Sequence, residues 1–369
     1  MKILVTGANG FIGKNLIAEL RNRNYSDILT ADRDTIPSLL DKYTKECEFV
    51  FHLAGVNRPD NQEEFKTGNY GYTNDLMELL EKNNNRSPVM ISSSTQAILD
   101  NPYGISKKIC EDSAFLHSRK TGAKVLIYRF PNVFGKWCRP NYNSVVATFC
   151  HNTAHELPVT INDPNVVMTL VYIDDVVEEL INAMNGKENR NGEFCEIPVK
   201  HTVALGKIAE LINSFKESRR TLSIPDMADG FEKKLYSTYL SYLPSDRFSY
   251  PLHMNEDKRG SFTEIFRTIE RGQFSVNIVK PGIAKGNHWH NSKTEKFIVV
   301  SGKGLIRFRK LYTSEIIEYS VSGDKLEAVD IPTGYTHSIT NVGETDLITL
   351  MWANEAFNAD KPDTYFLEV

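Results

Sequence analysis

Short continuous apolar runs alternate with amphipathic stretches in the first two-thirds of the chain. Residues 2–6, KILVT, suit a strand buried on both faces of a parallel sheet. A glycine-rich turn follows, GANGFIG, and then KNLIAELRNR with helical periodicity. DILTADRD (27–34), EFVFHLAG (48–55) and PVMISSSTQ (88–96) read as further strands. This order predicts a Rossmann-type, doubly wound parallel α/β sheet. Within residues 223–252 a helical stretch gives way to Pro244, Ser245 and Pro251, so the boundary is placed between 243 and 244. Beyond it FTEIFRTI, FSVNIVK, KFIVVSGKGLIRFRKL, SEIIEYSV and DLITLMW alternate or run apolar between polar turns, predicting an all-β barrel or jelly roll over 244–369.

Composition narrows the class. A chain of 369 residues, 41% hydrophobic and 24% charged, fits a globular protein of two domains. A net charge of -4 argues against a nucleic-acid surface. Five scattered cysteines, Cys47, Cys110, Cys138, Cys150 and Cys195, form no CxxC pair and suit a reduced compartment. No apolar run approaches the roughly 18 residues of a membrane span, so a cytoplasmic location and no membrane partner are expected.

Candidate chemistry sits at the ends of the predicted elements. Gly7, Gly10 and Gly13 let the backbone turn tightly and approach a pyrophosphate at a helix N-terminus. Asp32, roughly 20 residues on, suits an adenosine ribose; its neighbour Arg33 suits a 2′-phosphate and tips the expectation from NADH to NADPH. PVMISSSTQ ends in hydroxyls, and NPYGISKK places Tyr103 and Lys107 on one helix face, where an ammonium would favour the phenolate. Near the end, GIAKGNHWHNSKTEKFIVVSG carries His288, His290 and Glu295, and IPTGYTHSITN adds His337. Three imidazoles and a carboxylate are a normal set for zinc, iron, manganese or nickel; one divalent metal, zinc by preference, is expected.

TGANGFIG, HLAG, SSST and YGISK, in this order, resemble an extended short-chain dehydrogenase/reductase over residues 1–243. The resemblance implies that Tyr103 is the general acid/base, that Lys107 holds the nicotinamide ribose, and that Ser94 bonds the reacting carbonyl. It also implies dinucleotide contacts from Gly7, Gly10, Phe11, Ile12, Gly13, Leu53 and Ala54, and a substrate contact from Asn132 in RFPNVFG. Met168 stands where family members often carry a basic residue. The two histidine segments resemble the paired motifs of cupins over 245–369, with Leu326 in place of a turn glycine. DKRGSFTEIF resembles the substrate segment of sugar-nucleotide epimerase cupins, which implies a diphosphate contact from Arg259. Together the halves resemble the bifunctional capsular-polysaccharide enzymes of the CapF type. That implies a UDP-sugar substrate, C3 epimerisation in the cupin, NADPH-dependent reduction at C4, and a homodimer. The alternative is a plain 4-ketoreductase whose cupin is structural or dimerising. The C3 base is left unassigned: His253 and Lys296 lie near the motifs, and neither is chosen.

Overall fold

The structure is a computed structural model describing residues 1–59, 61, 63–268 and 270–369. Ile269, the last residue of the predicted FTEIFRTI strand, lies outside the described residues. The chain divides into one unit of Met1–Asn213 with Asp229–Pro244, and a second of Ser214–Ala228 with Ser245–Val369.

In chain order the first part holds β1 (Ile3–Thr6), α1 (Phe11–Asn22), β2 (Ile28–Ala31), α2 (Pro37–Glu46), β3 (Phe49–His52), α3 (Glu63–Phe65) and α4 (Tyr72–Lys82). Then come β4 (Val89–Ser94), α5 (Pro102–Thr121), β5 (Val125–Phe130), β6 (Asn132–Phe134), α6 (Val145–Ala154), β7 (Val167–Tyr172) and α7 (Ile173–Met184). β8 (Arg190–Asn191), β9 (Phe194–Cys195), β10 (His201–Ala204), α8 (Leu205–Thr221) and α9 (Gly230–Leu240) complete it. The main sheet runs β2-β1-β3-β4-β5-β9-β8, and its strands from β2 to β5 are parallel. β1 and β3 are buried along their whole length, as strands covered by helices on both faces must be. The strand order reverses between β1 and β3, so a crevice opens beyond their carboxyl ends.

α5 starts where its sequence says it should. The Asn101 carboxamide oxygen accepts from the Gly104 N–H at 2.8 Å, and Pro102 takes the first helical position. Gly122 ends the helix in the left-handed region. Residues 66–71, between α3 and α4, form a wider π-helical turn that carries Asn69.

The second unit is antiparallel in both its sheets. Its strands are β11 (Met254–Asp257), β12 (Gly260–Thr268), β13 (Gly272–Val279), β14 (Ala284–Trp289), β15 (Glu295–Ser301) and β16 (Lys303–Lys310). They continue with β17 (Ile316–Ser322), β18 (Ala328–Ile331), β19 (Tyr335–Asn341), β20 (Leu347–Ala353) and β21 (Tyr365–Phe366). One sheet runs β11-β12-β13-β20-β15-β18 and the other β17-β16-β19-β14-β21. Alternate residues of β13 and β15 are buried, and Phe297 and Val299 of one sheet share a core with Ile306, Phe308 and Ile339 of the other. This is the all-β jelly roll expected. Residues 222–224 join the unit by pairing with Arg267: its N–H donates to Leu222 O at 2.7 Å, and the Ile224 N–H donates to its carbonyl at 2.8 Å. All five cysteines are free and buried. Among the described residues no helix is long and apolar enough to cross a membrane.

Candidate active sites

The glycine loop lies at the crevice, and its composition follows from crowding. Gly7 has φ +68°, and a Cβ there would sit 2.7 Å from Ala54 N. A Cβ on Gly13 would sit 2.3 Å from Gly7 O. Gly10 precedes α1 without a side-chain cap, so the first-turn N–H groups keep their capacity for an anion. Phe11 and Ile12 pack half-buried against the core under this turn, as does Leu53 on the facing loop. That loop is fixed through His52: the Thr6 hydroxyl donates to His52 Nδ1 at 2.7 Å, and His52 Nε2 donates to Thr73 Oγ1 at 2.9 Å. Thr73 spends its own hydrogen on Asn69 O at 2.8 Å, which sets this direction. Burial, and then the charge of Lys107, push the His52 pKa down to about 3, so the ring is neutral.

The Asp32 carboxylate accepts the Asn9 amide side chain at 2.7 Å and the Asn9 backbone N–H at 3.2 Å. It lines a cleft of about 580 Å³ with Asn9, Lys14, Arg21 and Trp137. Arg33 is exposed and does not line this cleft; Lys14 and Arg21 are the cations that do. Sequence reading missed both, because helical periodicity alone makes them solvated.

Ser94 closes β4 and Tyr103 and Lys107 share a face of α5. Lys107 is buried, its ammonium donating to Ser92 O at 3.1 Å and standing 5.9 Å from the Tyr103 ring centroid. The Tyr103 hydroxyl donates to Asn57 Oδ1 at 3.1 Å. Burial raises the Tyr103 pKa, with Ser94 pulling the other way through a hydrogen bond, whereas an ammonium-lowered phenol was the expectation. The reason is geometric: Lys107 is engaged with the β4 backbone. Burial lowers the Lys107 pKa, opposed by Cys110 and Glu111. Behind this pair, Glu111 accepts from Ser93 at 2.6 Å and from Arg129 through both carboxylate oxygens, at 2.8 and 2.6 Å. Asn69 accepts from Val56 N at 2.7 Å and donates to Ser106 at 3.0 Å. Asn57, Asn69 and Glu111 carried no spacing signal in the sequence.

The second constellation is in the jelly roll. Ligand-capable atoms of His288, His290, Glu295 and His337 all lie within 4.8 Å of one another. A bulge between Gly286 and His288, opposite β19, turns this end of β14. Glu295 Oε2 is 3.4 Å from His290 Nε2 and 3.3 Å from His337 Nε2. Among the described residues these three buried atoms have no hydrogen-bond partner. Burial would raise the Glu295 pKa, but the rings of His290 and His337, with Lys293, outweigh it and keep it ionised. Burial, then His337, pushes His288 down to about 4. Imidazole nitrogens and a carboxylate converging on one point fit a divalent cation, zinc included. Lys293, unmarked in the sequence reading, is buried 3.7 Å from Glu295 Oε1.

Other predicted residues lie elsewhere. Arg259 is exposed in the β11–β12 turn and paired with Asp257 at 2.5 Å. Three strands, β12, β13 and β20, stand between β11 and the β15 strand of Glu295. Asn132 is exposed on β6, donating to Thr169 O at 3.4 Å. His253 is exposed, and Lys296 is paired with Asp330.

Comparison with known proteins follows this division. The NAD dependent epimerase/dehydratase family matches residues 3–197, and the polysaccharide biosynthesis C-terminal domain matches residues 255–365. A UDP-2-acetamido-2,6-beta-L-arabino-hexul-4-ose reductase of Pseudomonas aeruginosa is 44% identical over 100% of this chain and 99% of its own. The crystal structure of capsular polysaccharide assembling protein CapF from Staphylococcus aureus covers 100% of both chains at 52% identity and a TM-score of 0.95. A further crystal form of the Staphylococcus aureus protein gives 47% identity and 0.89.

Proposed function

The chain belongs to the NAD dependent epimerase/dehydratase family, in the two-part form of the CapF type, and from this premise we propose a bifunctional UDP-sugar enzyme. Residues 1–243 reduce the C4 ketone of a UDP-4-keto-6-deoxy-N-acetyl-L-hexosamine, and residues 244–369 epimerise its C3. The product is UDP-2-acetamido-2,6-dideoxy-L-talose, leading to UDP-N-acetyl-L-fucosamine and capsular polysaccharide. The observation that carries this is a full-length match to a UDP-hexulose reductase by a chain with two separate polar constellations, one in each unit.

The first site does reductase work. When bound, the nicotinamide supplies hydride to C4. Gly7, Gly10 and Gly13, with Phe11, Ile12, Leu53 and Ala54, shape the pyrophosphate crevice, and Asp32 takes the ribose. NADPH is the proposed form, with Arg33 next to Asp32 in sequence; Lys14 and Arg21 supply positive charge in the Asp32 cleft. Tyr103 donates its proton to the C4 oxygen as negative charge develops there, and its raised pKa keeps that proton in place at neutral pH. Ser94 orients the same oxygen, Lys107 holds the ribose, and Asn132 faces the diphosphate.

The second site does isomerase work. A C4 ketone acidifies the C3 proton, and removing it leaves an enolate whose oxygen needs positive charge or hydrogen-bond donors. His288, His290, Glu295 and His337 would hold a divalent metal, zinc by preference, which when bound supplies Lewis-acid polarisation. Arg259 is proposed to pair with the diphosphate, exchanging Asp257 for it.

Proton NMR in deuterated water, with the 4-keto sugar and no reduced cofactor, tests the division. Loss of the C3 proton signal, then NADPH-dependent conversion to one alcohol, is expected. Clean reduction without prior exchange would leave a plain 4-ketoreductase.

A further inference from the structure

The last residues of the chain fold back onto β14, the strand that carries His288 and leads into His290. β21 pairs with the end of β14, Phe366 opposite His288 and Tyr365 opposite Trp289. The Tyr365 ring packs on Trp289 at 4.9 Å between centroids. Leu367 N donates to Asn287 O at 2.9 Å, and the Thr336 hydroxyl donates to Leu367 O.

Two residues before β21 stands Asp363, with φ +39°. Its backbone carbonyl accepts from His290 Nδ1 at 2.6 Å. A carbonyl only accepts, so this bond holds the ring proton on Nδ1 and leaves the Nε2 lone pair facing Glu295. Its carboxylate gathers the loop joining His290 to Glu295. Oδ1 accepts from Asn291 N at 3.0 Å, and Oδ2 accepts from Ser292 N and Lys293 N, both at 2.9 Å. The Ser292 hydroxyl adds a bond at 3.2 Å. One residue thus sets the tautomer of one ligand and the conformation of the loop leading to the next. A sequence separation of 70–73 residues hides it from any motif.

We propose that Asp363 is a positioning residue for the histidine–glutamate site and that the C-terminal segment from it onward is a clasp whose docking sets metal affinity. This rests on the metal-binding reading given above. By linkage, the bound ion in turn tightens the clasp. Losing such an outer partner costs about ten- to a hundredfold in metal affinity.

The test uses the full chain, stripped of metal and titrated with zinc against a competing chelator, with amide hydrogen exchange measured alongside. Asp363→Ala is expected to bind zinc about ten- to a hundredfold more weakly. The amides of Asn291, Ser292 and Lys293 should lose protection while those of β13 keep it. Asp363→Asn, which retains an acceptor oxygen and tolerates the left-handed backbone, should lose less. Equal zinc affinity in wild type and Asp363→Ala overturns the clasp while leaving the metal site standing. If β13 protection collapses in Asp363→Ala, Asp363→Asn decides, and wild-type affinity there overturns the clasp. A wild-type chain that takes up no zinc overturns the metal reading and the clasp together.

Discussion

At the residue scale, the two proposed activities hang on different protons. Tyr103→Phe keeps the ring and removes the hydroxyl that donates to Asn57. Ketone reduction should fall about 10²- to 10⁴-fold, with C3 exchange in deuterated water unchanged; loss of both would show one shared site. His52 offers a second prediction, on stability. Its folded pKa, near 3, lies below the ordinary value of about 6.5. Between those values the unfolded chain binds more protons, so the stabilisation is complete above the unfolded pKa and drains away as pH falls toward 3. Thermal unfolding at neutral pH and near pH 4.5 should show a larger drop for wild type than for His52→Asn; equal drops would place the acid sensitivity elsewhere. Residues with a fixed local spacing were legible in the sequence: the glycines, Tyr103 with Lys107, and the four residues of the histidine–glutamate cluster. Asn57 and Glu111 were not, because their partners lie 46 and 18 residues away and any polar residue satisfies the local pattern.

At the element scale, apolar runs and turn residues marked most of the framework: β1, α1, β3, β4 and α5 stand where the pattern put them. The π-helical turn at 66–71 did not announce itself, since its register depends on Asn69 reaching Val56 and Ser106. β21 was equally hidden, being two residues long and defined only by β14. The junction of β1 and α1 yields the sharpest element-level prediction. At Gly13 a Cβ would press on two backbone oxygens, 2.3 and 2.8 Å away, which the helix cannot yield without shifting. Gly13→Ala should cost about 1–3 kcal/mol of stability and weaken NADPH binding, read by unfolding and by cofactor fluorescence titration. Unaltered binding would move the dinucleotide away from this turn.

At the scale of the whole molecule, the proposed activities should respond separately to metal removal. A chelator should abolish C3 exchange while NADPH-dependent reduction of an already epimerised ketone continues; loss of both would mean that the ion serves the entire chain. The sequence pattern places one boundary, between 243 and 244, whereas the chain passes between units in three places, after Asn213, Ala228 and Pro244. The crossings after Asn213 and Ala228 have no counterpart in the sequence boundary. Yet residues 222–224 bond Arg267 through both of its backbone groups. A fragment beginning at Ser245 therefore leaves an edge of β12 bare, and one beginning at Ser214 restores it. For the gene, the consequence is that a single break at that junction does not deliver the second unit whole. A recombination event at the apparent junction hands the downstream product an unfinished sheet and leaves its missing piece, residues 222–224, with the upstream partner.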